Sequence, residues 1–156
     1  MHELILLRHA ETMSSAPDGS DHARPLSAHG EAEARAAGRW LADHGAAPGR
    51  VLCSPAQRTL MTARETLAAL GPCPLLYAPE IYDATPGDLL ALLDRNDDVD
   101  QLLLIGHNPG IERLVALLVE GRSQEYRGMP PAALAWLHLD GSLEPGTARV
   151  HAFWSP

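Results

Sequence analysis

Residues 4–7 (Leu-Ile-Leu-Leu) and 102–105 (Leu-Leu-Leu-Ile) are apolar at every position. Short runs of this kind predict strands buried on both faces. Residues 51–53 predict another short strand, and 75–77 a weaker one. Between them the pattern becomes helical. Ser27 is placed to cap a helix to about residue 43, with Ala32, Ala36, Trp40 and Leu41 on its apolar stripe and Gly45 as its stop. Ser54 and Pro55 read as an N-cap and first helical residue of a helix reaching Leu70, ended by Gly71-Pro72. Pro86 opens a helix to Leu93 with Asp88 in its first turn, and another helix covers 110–119. Residues 133–139 and 148–154 read as two late strands without a helix between them, hence an antiparallel edge. Strands alternating with helices predict an α/β fold of three layers, αβα, around a mostly parallel sheet. The 156 residues suit one domain, 1–156.

Composition narrows the partners. The formal charge is −8 and only 4% of residues are aromatic, which argues against nucleic acid or an anionic membrane as partner. Nothing at the start has a signal-peptide pattern, no apolar stretch approaches a membrane span, and a cytoplasmic monomer is the default expectation. Two cysteines, Cys53 and Cys73, are too few for a disulfide framework, and both read as reduced.

The chemistry gathers where strands end. Residues 4–7 run into Arg8-His9, and 102–105 into Gly106-His107-Asn108-Pro109. In a parallel sheet these ends share one edge, where ligands usually bind. The third strand delivers Ser54-Pro55 there, with Arg58 one helical turn on. Pro109 suits the start of the next helix, whose free N–H groups favour an anion. Two arginines and two histidines on one edge form a pocket suited to a phosphoryl group, since the guanidinium fork matches phosphate oxygens. His22 lies in the loop after His9, beside Arg24, and joins as a lesser candidate. No His-x-x-x-His, Cys-x-x-Cys or Gly-x-x-x-x-Gly-Lys pattern occurs, so no metal or cofactor is expected and a zinc hydrolase or nucleotide-loop hydrolase is disfavoured.

Together these segments resemble the histidine phosphatase superfamily, which has the phosphoglycerate mutase-like fold, and most of all its short branch of SixA-type phosphohistidine phosphatases. The resemblance rests on Leu7-Arg8-His9-Ala10, Arg24-Pro25-Leu26-Ser27 with Gly30, Ser54-Pro55 with Arg58 and Thr62-Ala63, Gly106-His107-Asn108-Pro109, and the closing Phe153-Trp154-Ser155-Pro156. It implies that His9 is a nucleophile forming a phosphohistidine intermediate, with Arg8, Arg58 and His107 around the phosphoryl oxygens. His9 must then be neutral, while a protonated His107 would help bind phosphate; their environments would have to push the two pKa values apart. Ala10 stands where many relatives have Gly.

A leaving-group acid is harder to find. Larger relatives carry it on a longer segment than residues 71–101 provide. Glu80 is the first choice, with Asp83, Asp88, Glu11 and Asp21 as alternatives. An alkoxide needs protonation to leave, whereas the imidazole of a phosphohistidine leaves more easily. The expected substrate is therefore a phosphohistidine side chain of a protein, entering an open site whose lower-ranked binding residues are Asn108, Glu80 and His22. The alternatives are a small phosphate ester as substrate, or a phosphate- or phosphoprotein-binding module without turnover.

Overall fold

In the computed structural model, which describes residues 1–124, 126 and 128–156, six strands form one sheet. The strands are β1 (Glu3–Arg8), β2 (Arg50–Cys53), β3 (Leu75–Tyr77), β4 (Gln101–Gly106), β5 (Leu134–His138) and β6 (Arg149–Trp154). The helices are α1 (Ala28–Asp43), α2 (Gln57–Leu70), α3 (Pro86–Asp94) and α4 (Gly110–Glu120), with a short 3-10 turn at Pro79–Ile81. The spatial order is β3-β2-β4-β1-β5-β6. The first four are parallel, and β5 and β6 add the antiparallel edge. Among the described residues no helix is long and apolar enough to cross a membrane.

Strand alternation divides the core in two. Ile5, Leu7, Val51, Cys53, Leu103 and Ile105 pack with Ala37 and Leu41 of α1 and Ala63 of α2. Leu4, Leu6, Leu52, Leu102 and Leu104 pack on the opposite face with Leu89, Leu92 and Leu93 of α3 and Ile111, Leu114 and Val115 of α4. Both faces are covered, which is why residues 4–7 of β1 and 102–105 of β4 are apolar without a break.

Register then places the chemistry. Leu7 pairs with Ile105 and Arg8 with Gly106. The His9 N–H donates to the Gly106 carbonyl at 3.0 Å, and the Ser54 N–H to Ile105 at 3.2 Å. Gly106 leaves little room for a side chain: a Cβ there would come within 2.8 Å of Ile81 Cγ2, so Ile81 would have to shift.

One expected helix start is corrected. The helix α2 begins at Gln57, with Ala56 rather than Ser54 at its N-cap and no side-chain cap. The Ser54 hydroxyl has another partner, the His107 ring, so it does not cap α2 in the expected way.

Candidate active site

His9 and His107 face each other across the β1–β4 seam, with ring centroids 5.3 Å apart. His9 Nδ1 lies 2.8 Å from the Ala10 carbonyl. A carbonyl only accepts, so Nδ1 carries the hydrogen and, in the neutral ring, Nε2 carries the lone pair. His107 Nε2 is 2.8 Å from Ser54 Oγ.

Both arginines are built in from below. The Arg8 guanidinium donates to the Met129 carbonyl at 2.8 Å, and Asn108 Nδ2 donates to the same oxygen at 3.0 Å. Arg58, buried in the first turn of α2, donates to the Asp21 backbone carbonyl at 2.8 Å and to its carboxylate at 3.0 Å. That carboxylate also accepts from Tyr82 Oη at 2.5 Å and Arg24 at 3.0 Å. Tyr82 packs edge-on to His107, with centroids 5.5 Å apart, and lies 5.1 Å from the His22 ring. Sequence reasoning missed Tyr82 altogether. It reached Asp21 only as a spare acid, and it placed Ser54 on the sheet edge and as a helix cap without its bond to His107.

The electrostatics of the free site do not separate the two imidazoles. Burial lowers His9 from 6.5 to about 4, with Arg58, Arg8 and Arg24 adding to the effect and the Ala10 hydrogen bond opposing it. Burial also lowers His107 from 6.5 to about 3, helped by Arg58 and His9 and opposed by Asp21. The two histidines are thus pushed the same way, and both are neutral near pH 7 in the free site. The hydrogen bond from Tyr82, then those from Arg24 and Arg58, hold the Asp21 carboxyl well below the usual range. An acid so readily ionised is a poor proton donor in this state.

Three buried atoms here, Arg8 Nε, His107 Nδ1 and Asn108 Oδ1, have no hydrogen-bond partner among the described residues. Such atoms are uncommon in folded proteins, and their clustering marks a place where the fold tolerates a cost.

The other acids named from the sequence lie apart from this arrangement or at its margin, whereas Glu112, buried in the first turn of α4, acts electrostatically on Arg8. Glu80 is exposed and pairs with Arg95 at 3.3 Å; among the described residues no hydrogen bond ties it to the two histidines. Thr85 caps α3, and the Asp88 carboxylate completes the capping box by accepting from the Thr85 N–H at 2.9 Å. Glu11 accepts from Ser27 Oγ at 2.8 Å. Asp83 lines a cavity of about 220 Å³ that borders His107 and Asn108. His29, which has no obvious partner in sequence, comes together with Glu33 and Glu11, their ligand-type atoms within 4.8 Å of one another. Cys53 is buried in the core, and burial pushes its thiol up to about 12, which makes it inert.

A neutral imidazole with its Nε2 lone pair free stands with two arginines and a second imidazole at one edge of an αβα sheet. Residues 4–95 match the histidine phosphatase superfamily (branch 1), and the chain belongs to that superfamily. The Mycobacterium tuberculosis protein Rv1276c (strain H37Rv), described as uncharacterized, is 37% identical over 166 residues, covering 96% of this chain and 99% of its own. The structure of the protein histidine phosphatase SixA complexed with tungstate superposes with a TM-score of 0.85 at 29% identity, over 99% of this chain and 97% of that one. A structure from Agrobacterium tumefaciens, described as a candidate phosphohistidine phosphatase SixA, gives 0.86 at 27% identity, over 99% and 98%. The fold is that of these SixA structures, and the family assigns the chain to the phosphatases.

Proposed function

We propose that this protein is a metal-independent phosphohistidine protein phosphatase that works through a covalent phosphohistidine on His9. The observation that carries the reading is the His9 ring, held by Ala10 with Nε2 free, beside Arg8, Arg58 and His107. His9 Nε2 attacks phosphorus in line. The new N–P bond forms as the substrate's N–P bond breaks, and the leaving imidazole takes that electron pair. When the substrate ring already carries a proton on its far nitrogen, it departs as neutral imidazole and needs no enzyme acid. Water then attacks phosphorus, releases phosphate and restores neutral His9. Arg8 and Arg58 stabilise charge on the equatorial oxygens, where fixed donors contribute most. Bound phosphate, an anion, raises the tendency of His107 to hold a proton. Glu80 pairs with Arg95, and Asp21 is held ionised by Tyr82, Arg24 and Arg58, which favours an N–P substrate over a phosphate ester. The tungstate in the related SixA structure, an oxyanion, agrees with a phosphoryl pocket.

The test is direct. A labelled phosphohistidine protein and a panel of small phosphate esters are incubated with the protein and quenched in alkali. We expect an acid-labile label on the wild type, absent from His9→Ala, and faster turnover of the phosphohistidine protein. Wild type that takes no label and hydrolyses nothing overturns the enzymatic reading. Comparable rates on a sugar phosphate overturn the substrate assignment.

A further inference from the structure

The cavity beside His107 is about 220 Å³ and has two walls. Residues 81–86 form one, carrying Asp83; the other runs from His107 to Arg113. At ~30 Å³ per water, this is room for roughly seven waters, enough for a side chain next to a bound phosphoryl group. Arg113 stands in the opening turn of α4, anchored by its backbone N–H to the Pro109 carbonyl at 3.0 Å. Its side chain is exposed and, among the described residues, has no hydrogen bond or ion pair. The chain has 20 acidic residues and 12 basic ones. Arg24 and Arg58 hold Asp21, Arg35 and Arg64 hold Glu65, and Arg50, Arg95 and Arg149 each hold one acid. Arg39 and Arg122 share the lack of a partner but line none of the cavities described. Asp83, on the facing wall, is exposed and forms no ion pair with Arg113. A negative group entering the cleft therefore meets a guanidinium on the α4 wall and a carboxylate on the wall opposite.

We infer that this cleft is a second subsite, in which Arg113 selects substrates bearing a carboxylate on the same polypeptide beside the phosphorylated side chain. The inference rests on the reading of Arg8, His9, Arg58 and His107 as the phosphoryl pocket. A second phosphate on a small molecule would present similar chemistry to the guanidinium fork, so both sources enter the test.

Binding is measured by calorimetry at low salt, which needs no turnover. The probes are peptides carrying a stable phosphoryl-triazole mimic of phosphohistidine, flanked by Glu, Gln or Lys, together with orthophosphate and a small bisphosphate. For an exposed cation a preference of about fivefold for Glu over Gln is expected in the wild type. Arg113→Ala should abolish that preference while leaving orthophosphate affinity unchanged, and Arg113→Glu should turn it toward Lys. Equal affinity for Glu and Gln peptides in the wild type overturns the inference, as does an equal loss for both in Arg113→Ala. An Arg113-dependent preference for the bisphosphate alone overturns the polypeptide source. If neither orthophosphate nor any peptide binds, the phosphoryl pocket itself is wrong; if they bind without regard to the flank, only the role of Arg113 is.

Discussion

The Ala10 carbonyl, 2.8 Å from His9 Nδ1, fixes which nitrogen of His9 is free. Neutral imidazole with its hydrogen on Nδ1 exposes a lone pair only at Nε2. The expected adduct is therefore phosphorylated on Nε2. Phosphorus NMR of the alkali-trapped intermediate distinguishes the two isomers, and an Nδ1 adduct contradicts the assignment. His9→Ala should lose turnover by at least about three orders of magnitude, as expected when a nucleophile is removed.

The pKa shifts of His9 and His107 also predict how acid affects the fold. Both are lowered in the folded chain, from 6.5 to about 4 and about 3, chiefly by burial. The unfolded chain thus binds more protons between about pH 6.5 and 3. Stability is complete above pH 6.5 and falls as the pH drops through that window. Each group contributes on the order of a few kcal/mol to this loss. Asp21 acts in the same direction but at lower pH, because its carboxyl is depressed below the ordinary 3.8. Denaturant melts at pH 7, 5 and 4 should show the decline already by pH 5, and His107→Asn should flatten it. A wild-type curve flat from pH 7 to 4 contradicts the shifts. The same shifts keep His9 neutral at pH 5, so trapping of the label should hold there and fall only near pH 4.

Much of this arrangement was legible in the sequence, for a physical reason. Strands buried on both faces leave continuous apolar runs, and a parallel sheet puts their ends together, so Arg8, His9, Arg58 and His107 could be grouped without coordinates. What escaped were contacts between loops. Nothing local ties Tyr82 to Asp21, 61 positions away, although their hydrogen bond is 2.5 Å long. Ser54 followed by Pro55 is a good helix-start signal, but its hydroxyl serves a ring brought in by another strand. Whether the two imidazoles differ in protonation could not be read from the sequence, because burial, which pattern alone does not measure, dominates both in the free site.

The Asp21–Tyr82–Arg58 junction carries the third prediction. Asp21 fixes the Arg58 fork through its backbone and its carboxylate. Asp21→Ala should lower kcat/KM by about tenfold or more, since a charge-assisted bond contributes roughly 1.5–3 kcal/mol. Tyr82→Phe removes one hydrogen bond to the same carboxylate, and a few-fold loss is expected, near ~1 kcal/mol. Steady-state kinetics on the best substrate check both. Equal effects of the two variants would mean that the carboxylate contributes nothing to Arg58 beyond what its bond from Tyr82 supplies.

Two glycines in α1 give the last prediction, because helix propensity and packing disagree about its sign. Propensity alone says that Gly→Ala inside a helix stabilises by ~1 kcal/mol. At Gly38 a Cβ would meet the Thr66 carbonyl of α2 at 2.3 Å, and at Gly30 the Glu11 carbonyl at 2.0 Å. Both obstacles are backbone atoms that cannot rotate away, so packing wins and each substitution should cost about 1–3 kcal/mol. In a chain of this size that lowers Tm by roughly 2–4 °C per kcal/mol. The two differ in what they disturb. Gly38→Ala pushes α1 from α2 and should leave the turnover of the folded fraction nearly intact. Gly30→Ala pushes on Glu11, two residues after His9, and should lower kcat as well as Tm. Calorimetric melts paired with activity per folded molecule separate the two, and a Tm that rises in either variant shows that the helices can part at little cost.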